Sequence, residues 1–251
     1  MDTTQTTEHF VREAAALADS GMPAAAAGRG DFYAPIHKAL RLFMTRTLCT
    51  VGATDPGDAD EVRAALALLE RLLAMCESHV AHENDFVHPA LERARPGSAG
   101  RVAGEHEHHL EAIADLRDLA ALVADSSDGA RGAALARLYR TLALFVADNF
   151  QHMHAEETAH NAVLWAAYSD AQLEAIEHAL VSSIPPAEMF EALQWFVPAL
   201  SAPERAGMLG GMKQGMPPEA FNAVLGIAER TLPPRDHARL LRDLGLPAHA
   251  A

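Results

Sequence analysis

Residues 149–164 read NFQHMHAEETAHNAVL, and the fold turns on what shares a face there. Leu138, Leu142, Phe145, Asn149, His152, Glu156 and Val163 recur at alternating steps of three and four, the seam that a bundle helix turns inward. Hydrocarbon fills the first half of that seam; an imidazole and a carboxylate stand in the second. At ~1.5 Å rise per residue, His152 and Glu156 are about 6 Å apart on one side of the helix, within reach of a shared cation. Burying them with no cation or partner would cost on the order of several kcal/mol.

Three more long helices are expected before this one. The first starts near Asp31 to Pro35 and aligns Tyr33, His37, Leu40, Met44 and Leu48 before VGATDPGDAD breaks it. The second, from about Asp60 to Arg93, aligns Leu66, Leu69, Leu72, Cys76, His79, Glu83, Phe86 and Ala90, with His88 before Pro89 read as the sign of its end. The third starts around Arg101 and aligns Val102, His106, His109, Ile113, Leu116 and Ala120. The fourth runs to about Tyr168, after which Ser169 is a suitable N-cap for a short continuation.

Outside this interval the pattern changes. Thr7 to Ser20 reads as a short amphipathic helix and GMPAAAAGRG as a linker. From Ile184 onward, SIPPAEMF, SAPERAGM, MPPEAF and LPPRDHARL each open a short periodic segment with Pro or a small polar residue, which predicts four short helices. Met189, Met208, Met212, Met216, Trp195 and Phe196 give that tail an apolar surface for packing on the bundle or on a second subunit. The expected organisation is residues 1–30 as helix and linker, 31–182 as an all-α bundle, and 183–251 as an appendage of short helices.

Composition excludes several classes. A net charge of −14 over 251 residues argues against a nucleic-acid surface and against anchoring on anionic lipid. No apolar run reaches membrane-spanning length, and the opening MDTTQTTEHF lacks a secretory signal's basic start, so the cytoplasm is the expected location. Cys49 and Cys76 form no CxxC pair, and Cys76 falls on an apolar seam. Histidine is the unusual residue: of 14, ten lie between His37 and His160.

Those histidines are duplicated in pattern. His79 and Glu83 on the second helix match His152 and Glu156 on the fourth as HxxxE, with Leu91 and Leu164 each twelve residues after their His. His37 on the first helix corresponds to His106 on the third. Two hairpins, each bringing two imidazoles and one carboxylate, predict two related half-sites inside one bundle, the donor set of a non-haem di-iron centre. Six ligands exceed a structural zinc, which closes at four and favours sulfur. The zinc-protease HExxH is absent, and the first helix has no Glu to meet a ferritin-like plan.

The order H, HxxxE, H, HxxxE at His37, His79/Glu83, His106 and His152/Glu156 resembles the hemerythrin family of HHE cation-binding proteins, over roughly residues 31–179. The resemblance implies an up-and-down four-helix bundle and two iron ions bridged by carboxylate and oxo groups. It makes His37, His79, His106 and His152 terminal metal ligands and Glu83 and Glu156 the bridges. Oxygen carriers of that family have HxxxH on the third helix, where this chain has Val102, and HxxxxD on the fourth, where it has Glu156 and Glu157. His109 is a candidate for the missing ligand and Glu157 for an alternative bridge. His82, His88, His108, His154 and His160 are read as flanking or supporting groups, and Tyr33, one turn before His37, as packing in preference to a phenolate ligand.

The function implied is binding of dioxygen, nitric oxide or peroxide for sensing, storage or detoxification. An enzyme acting on peroxide or ferrous iron is the first alternative. An iron-dependent regulator whose tail binds a protein partner or a second copy is another.

Overall fold

The computed structural model describes residues 29–247; the helix expected over Thr7–Ser20 lies outside the described residues, among which there is no strand. Four rods make the bundle. The first is α1 (Ala34–Ala53); the second is α2 (Ala59–His82), continued through a π-helical turn, π1 (Glu83–Val87), into α3 (His88–Ala94). The third is α4 (Gly100–Asp125), and the fourth is α5 (Asp128–Ala155), continued through π2 (Glu156–His160) into α6 (Asn161–Ala167). Short links force each rod to return antiparallel to the last, and α1, α2, α4 and α5 touch in a closed ring.

Local chemistry sets the rod ends. The Asp31 carboxylate accepts from the amides of Tyr33 and Ala34 at 2.9 and 3.0 Å, and Asp58 accepts from those of Asp60 and Glu61, satisfying donors that a helix start leaves open. Ser169 and Gln172 form a capping box at the start of α7 (Asp170–Ser183).

The two π turns are a departure from the expected straight α-helices. Pro89 has no amide hydrogen, and in an α-helix its ring would meet the carbonyl four residues back. The second rod therefore does not end at His88: it widens, with the His88 amide donating to the Glu83 carbonyl, and carries on to Ala94. The fourth rod widens at the matching place, where the Asn161 amide donates to the Glu156 carbonyl. One extra residue per turn rotates the seam beyond it. Val87, Ala90 and Leu91 are buried where Phe86 is only half-buried, and His160, Asn161 and Leu164 take the inward face where Val163 was expected.

Two apolar clusters lie in the bundle, one reaching from Val51 and Val62 through Leu69, Leu72, Ile113 and Leu138 to Phe145, the other made by Tyr33, Val87, Leu91, Leu164 and Leu173. Between them every rod places polar residues inward: His37, Glu83, His106, His152 and Glu156 are all less than 7 % exposed. The hydrocarbon on either side removes water from this layer, so its charges must be satisfied within it.

The tail forms α8 (Pro186–Ala199), α9 (Ala202–Gly215), α10 (Pro218–Thr231) and α11 (Pro234–Asp243), each opening at or next to Pro, as expected. Leu193, Val197, Leu209, Val224 and Ile227 give it a core of its own. It is fastened to the bundle through α8, where Trp195 stacks on Phe43 at 3.6 Å between ring centroids, Glu191 receives Arg71, and Glu188 accepts from Ser78.

Candidate metal centre

Four imidazoles and two carboxylates converge between the apolar clusters. His79 and Glu83, like His152 and Glu156, stand one turn apart on their rods, so each carboxylate lies beside its own histidine: His79 Nε2 is 3.3 Å from Glu83 Oε1, and His152 Nε2 is 3.3 Å from Glu156 Oε1. His37 Nε2 approaches Glu156 Oε2 at 3.4 Å and Glu83 Oε1 at 3.8 Å. His106 Nε2 lies 3.2 Å from Glu83 Oε2 and 3.7 Å from Glu156 Oε1.

Each carboxylate thus divides its two oxygens between two groups. Glu83 Oε1 and Glu156 Oε2 face His37 and His79; Glu83 Oε2 and Glu156 Oε1 face His106 and His152. The donor atoms within each four-residue group lie within 4.8 Å of one another, close enough for one cation per group. His37 Nε2, His79 Nε2 and all four carboxylate oxygens are buried with no hydrogen-bond partner. Leaving so many polar atoms unsatisfied is strongly unfavourable, at ~1–3 kcal/mol each. A pair of divalent cations would satisfy them together, so the residues fit a metal pair.

The distal faces of the rings are held from outside. His37 Nδ1 lies 3.1 Å from Glu157 Oε1, and Glu157 is in turn paired with Arg41. His106 Nδ1 donates to Asn84 Oδ1 at 2.9 Å, and His152 Nδ1 lies 2.9 Å from Glu105 Oε2. Such contacts fix each ring so that its Nε2 faces the Glu83 and Glu156 carboxylates.

These surroundings set the charges in the metal-free protein. Burial opposes a charge on His37, but Glu156, Glu157 and Glu83 outweigh it and carry its pKa up to about 10. His106 rises to about 9 for the same reasons, with Glu156 and Glu83 against burial. Burial raises the Glu156 carboxyl, yet the imidazoles of His106, His152 and His37 hold it well below the usual range. His79 goes the other way, to about 4, because burial prevails there.

The hemerythrin HHE cation binding domain model matches residues 7–160, more than half of the chain. The chain belongs to the hemerythrin HHE family. Membership makes it a cation-binding protein of the class that typically holds iron, and the match ends short of the tail helices α8 to α11. No curated protein and no solved structure matches the chain. No helix among the described residues is long and apolar enough to cross a membrane.

Within this hemerythrin domain, the two additional candidates from the sequence lie outside both groups. His109 shares the inward face of α4, but its Nε2 reaches Asp148 on α5 at 3.0 Å, at the edge of a cavity of about 350 Å³ lined also by Arg101, Glu105 and His152. Glu157 stands behind His37 instead of beside Glu156. Two residues read as flanking groups are brought inward: His88 and His160 are 7 % and 3 % exposed. Their spacing held the signal, since His88 follows Glu83 by five residues and His160 follows Glu156 by four, one turn of π- and α-type spacing respectively.

Proposed function

We propose that this hemerythrin domain holds two iron ions and binds a small oxidising ligand there: dioxygen, nitric oxide or peroxide. His37 and His79 would be terminal ligands to one ion, His106 and His152 to the other, and Glu83 and Glu156 would bridge. The split of each carboxylate's oxygens between the two groups carries this reading, because a carboxylate serving one ion has no reason to divide its oxygens so. Oxygen and imidazole donors without sulfur suit iron in both of its common oxidation states.

An iron pair held there would supply redox capacity and binding positions for the ligand. The chain supplies the rest. Glu157, Asn84 and Glu105 orient three of the imidazoles through Nδ1, and the apolar clusters on either side exclude water. With four protein donors per group, bound iron would be held by His37, His79, His106, His152, Glu83 and Glu156 with room left for a small ligand.

Purified protein loaded with iron and oxidised in air should carry the visible charge-transfer absorption of a ferric pair, and azide or peroxide should shift it. A colourless protein holding two irons, or a spectrum indifferent to both anions, would overturn the proposal.

A further inference from the structure

His88, His160 and Tyr33 take no part in either four-residue group, yet they are 7 %, 3 % and 1 % exposed. Ligand atoms from His88, His160 and Glu156 lie within 4.8 Å of one another. Two further observations single out this corner. His88 Nε2 is buried without a hydrogen-bond partner, although the ring is held parallel to His106 at 4.9 Å between centroids. His160 is held from the opposite side by two contacts, its Nδ1 3.1 Å from the Tyr33 hydroxyl and a hydrogen bond to the Ser98 backbone, one of which a cation would replace.

An imidazole kept in hydrocarbon for packing alone would be better replaced by an apolar side chain, since its unpaired nitrogen costs ~1–3 kcal/mol. Two imidazoles and one carboxylate are the donor set that binds ferrous iron and similar divalent ions with positions left open. A carboxylate also has about four lone-pair sites on its two oxygens. Glu156 can therefore serve a bridge and retain capacity for another cation.

We propose that His88, His160 and Glu156 form a third cation position, for a divalent transition metal such as ferrous iron, on the Tyr33 side of the proposed pair. The position shares Glu156 with the pair but uses none of His37, His79, Glu83, His106 and His152. The two rods bring it about: π1 returns His88 to the inward face five residues after Glu83, and His160 stands four residues after Glu156 at the end of π2.

The test compares wild type with the His88→Ala/His160→Ala double variant. Both are stripped of metal, saturated with Co²⁺, desalted and assayed for cobalt per chain. The variant should hold one ion fewer than wild type, with unchanged helix content. An equal number, or a loss of more than one, overturns the third position. Because the readout is a difference of one, it stands apart from the metal pair, whose failure would appear in the wild-type total. Anomalous scattering from wild-type crystals grown with Co²⁺ is a check that needs no variant: a peak between His88 and His160 is expected, and its absence at full occupancy of the pair overturns the inference.

Discussion

Raising the pH should destabilise the metal-free protein, by an amount that follows from two buried imidazoles. His37 and His106 have pKa values of about 10 and about 9 when folded, against 6.5 ordinarily, because the neighbouring glutamates outweigh burial. A raised folded pKa gives stability that is complete below pH 6.5 and is lost as pH climbs through 9 to 10. Between those limits the folded chain holds a proton that the unfolded chain has released, and each one costs ~1.4 kcal/mol per pH unit. These two protons make about 3 kcal/mol from pH 7 to pH 8, and His152, raised against burial by Glu156 and Glu105, adds to the loss in the same direction. His79, held near 4 by burial, stays neutral throughout this window and adds nothing. Urea unfolding of chelator-treated protein at pH 7 and pH 8 measures the difference directly. With metal bound the trend should vanish or reverse, since cations take the place of the protons and acid then competes with them. Equal stability of the metal-free protein at the two pH values would refute the charge assignment.

Removing a support of the site should weaken it without unfolding the bundle. Glu157→Ala frees His37 Nδ1 and leaves Arg41 without its carboxylate, so metal affinity should fall ~10–100-fold with helix content unchanged; a loss below twofold in a competitive chelator titration would exclude that role. Trp195→Ala deletes the ring that stacks on Phe43 and anchors the tail, and urea unfolding should show a loss of about 3 kcal/mol. Metal content should be the same as in wild type, because Trp195 belongs to the apolar cluster and not to the polar layer.

The helices and most of the polar layer were legible because they are local facts. Leu138, Leu142, Phe145, Asn149, His152 and Glu156 are buried along the fourth rod as their spacing requires. Beyond Glu156 the structure departs from the expected seam, since a strict α repeat carries it to Val163 and the π turn moves it to Leu164. On the second rod the end expected near Arg93 agrees with Ala94, and Pro89 marks not a stop but the point where the chain widens to accommodate it. His109 could not be placed from its own helix. What draws it off is Asp148, thirty-nine residues away on a neighbouring rod, and such partners are set by packing. Glu157 likewise found Arg41 on α1, an ion pair that no spacing on the fourth rod announces.

Crystals of the iron-loaded protein, measured on either side of the iron absorption edge, would test the metal pair most directly. Two anomalous peaks should lie between Glu83 and Glu156, one against His37 and His79 and the other against His106 and His152. A single peak among these six residues, or iron found only elsewhere, would contradict it.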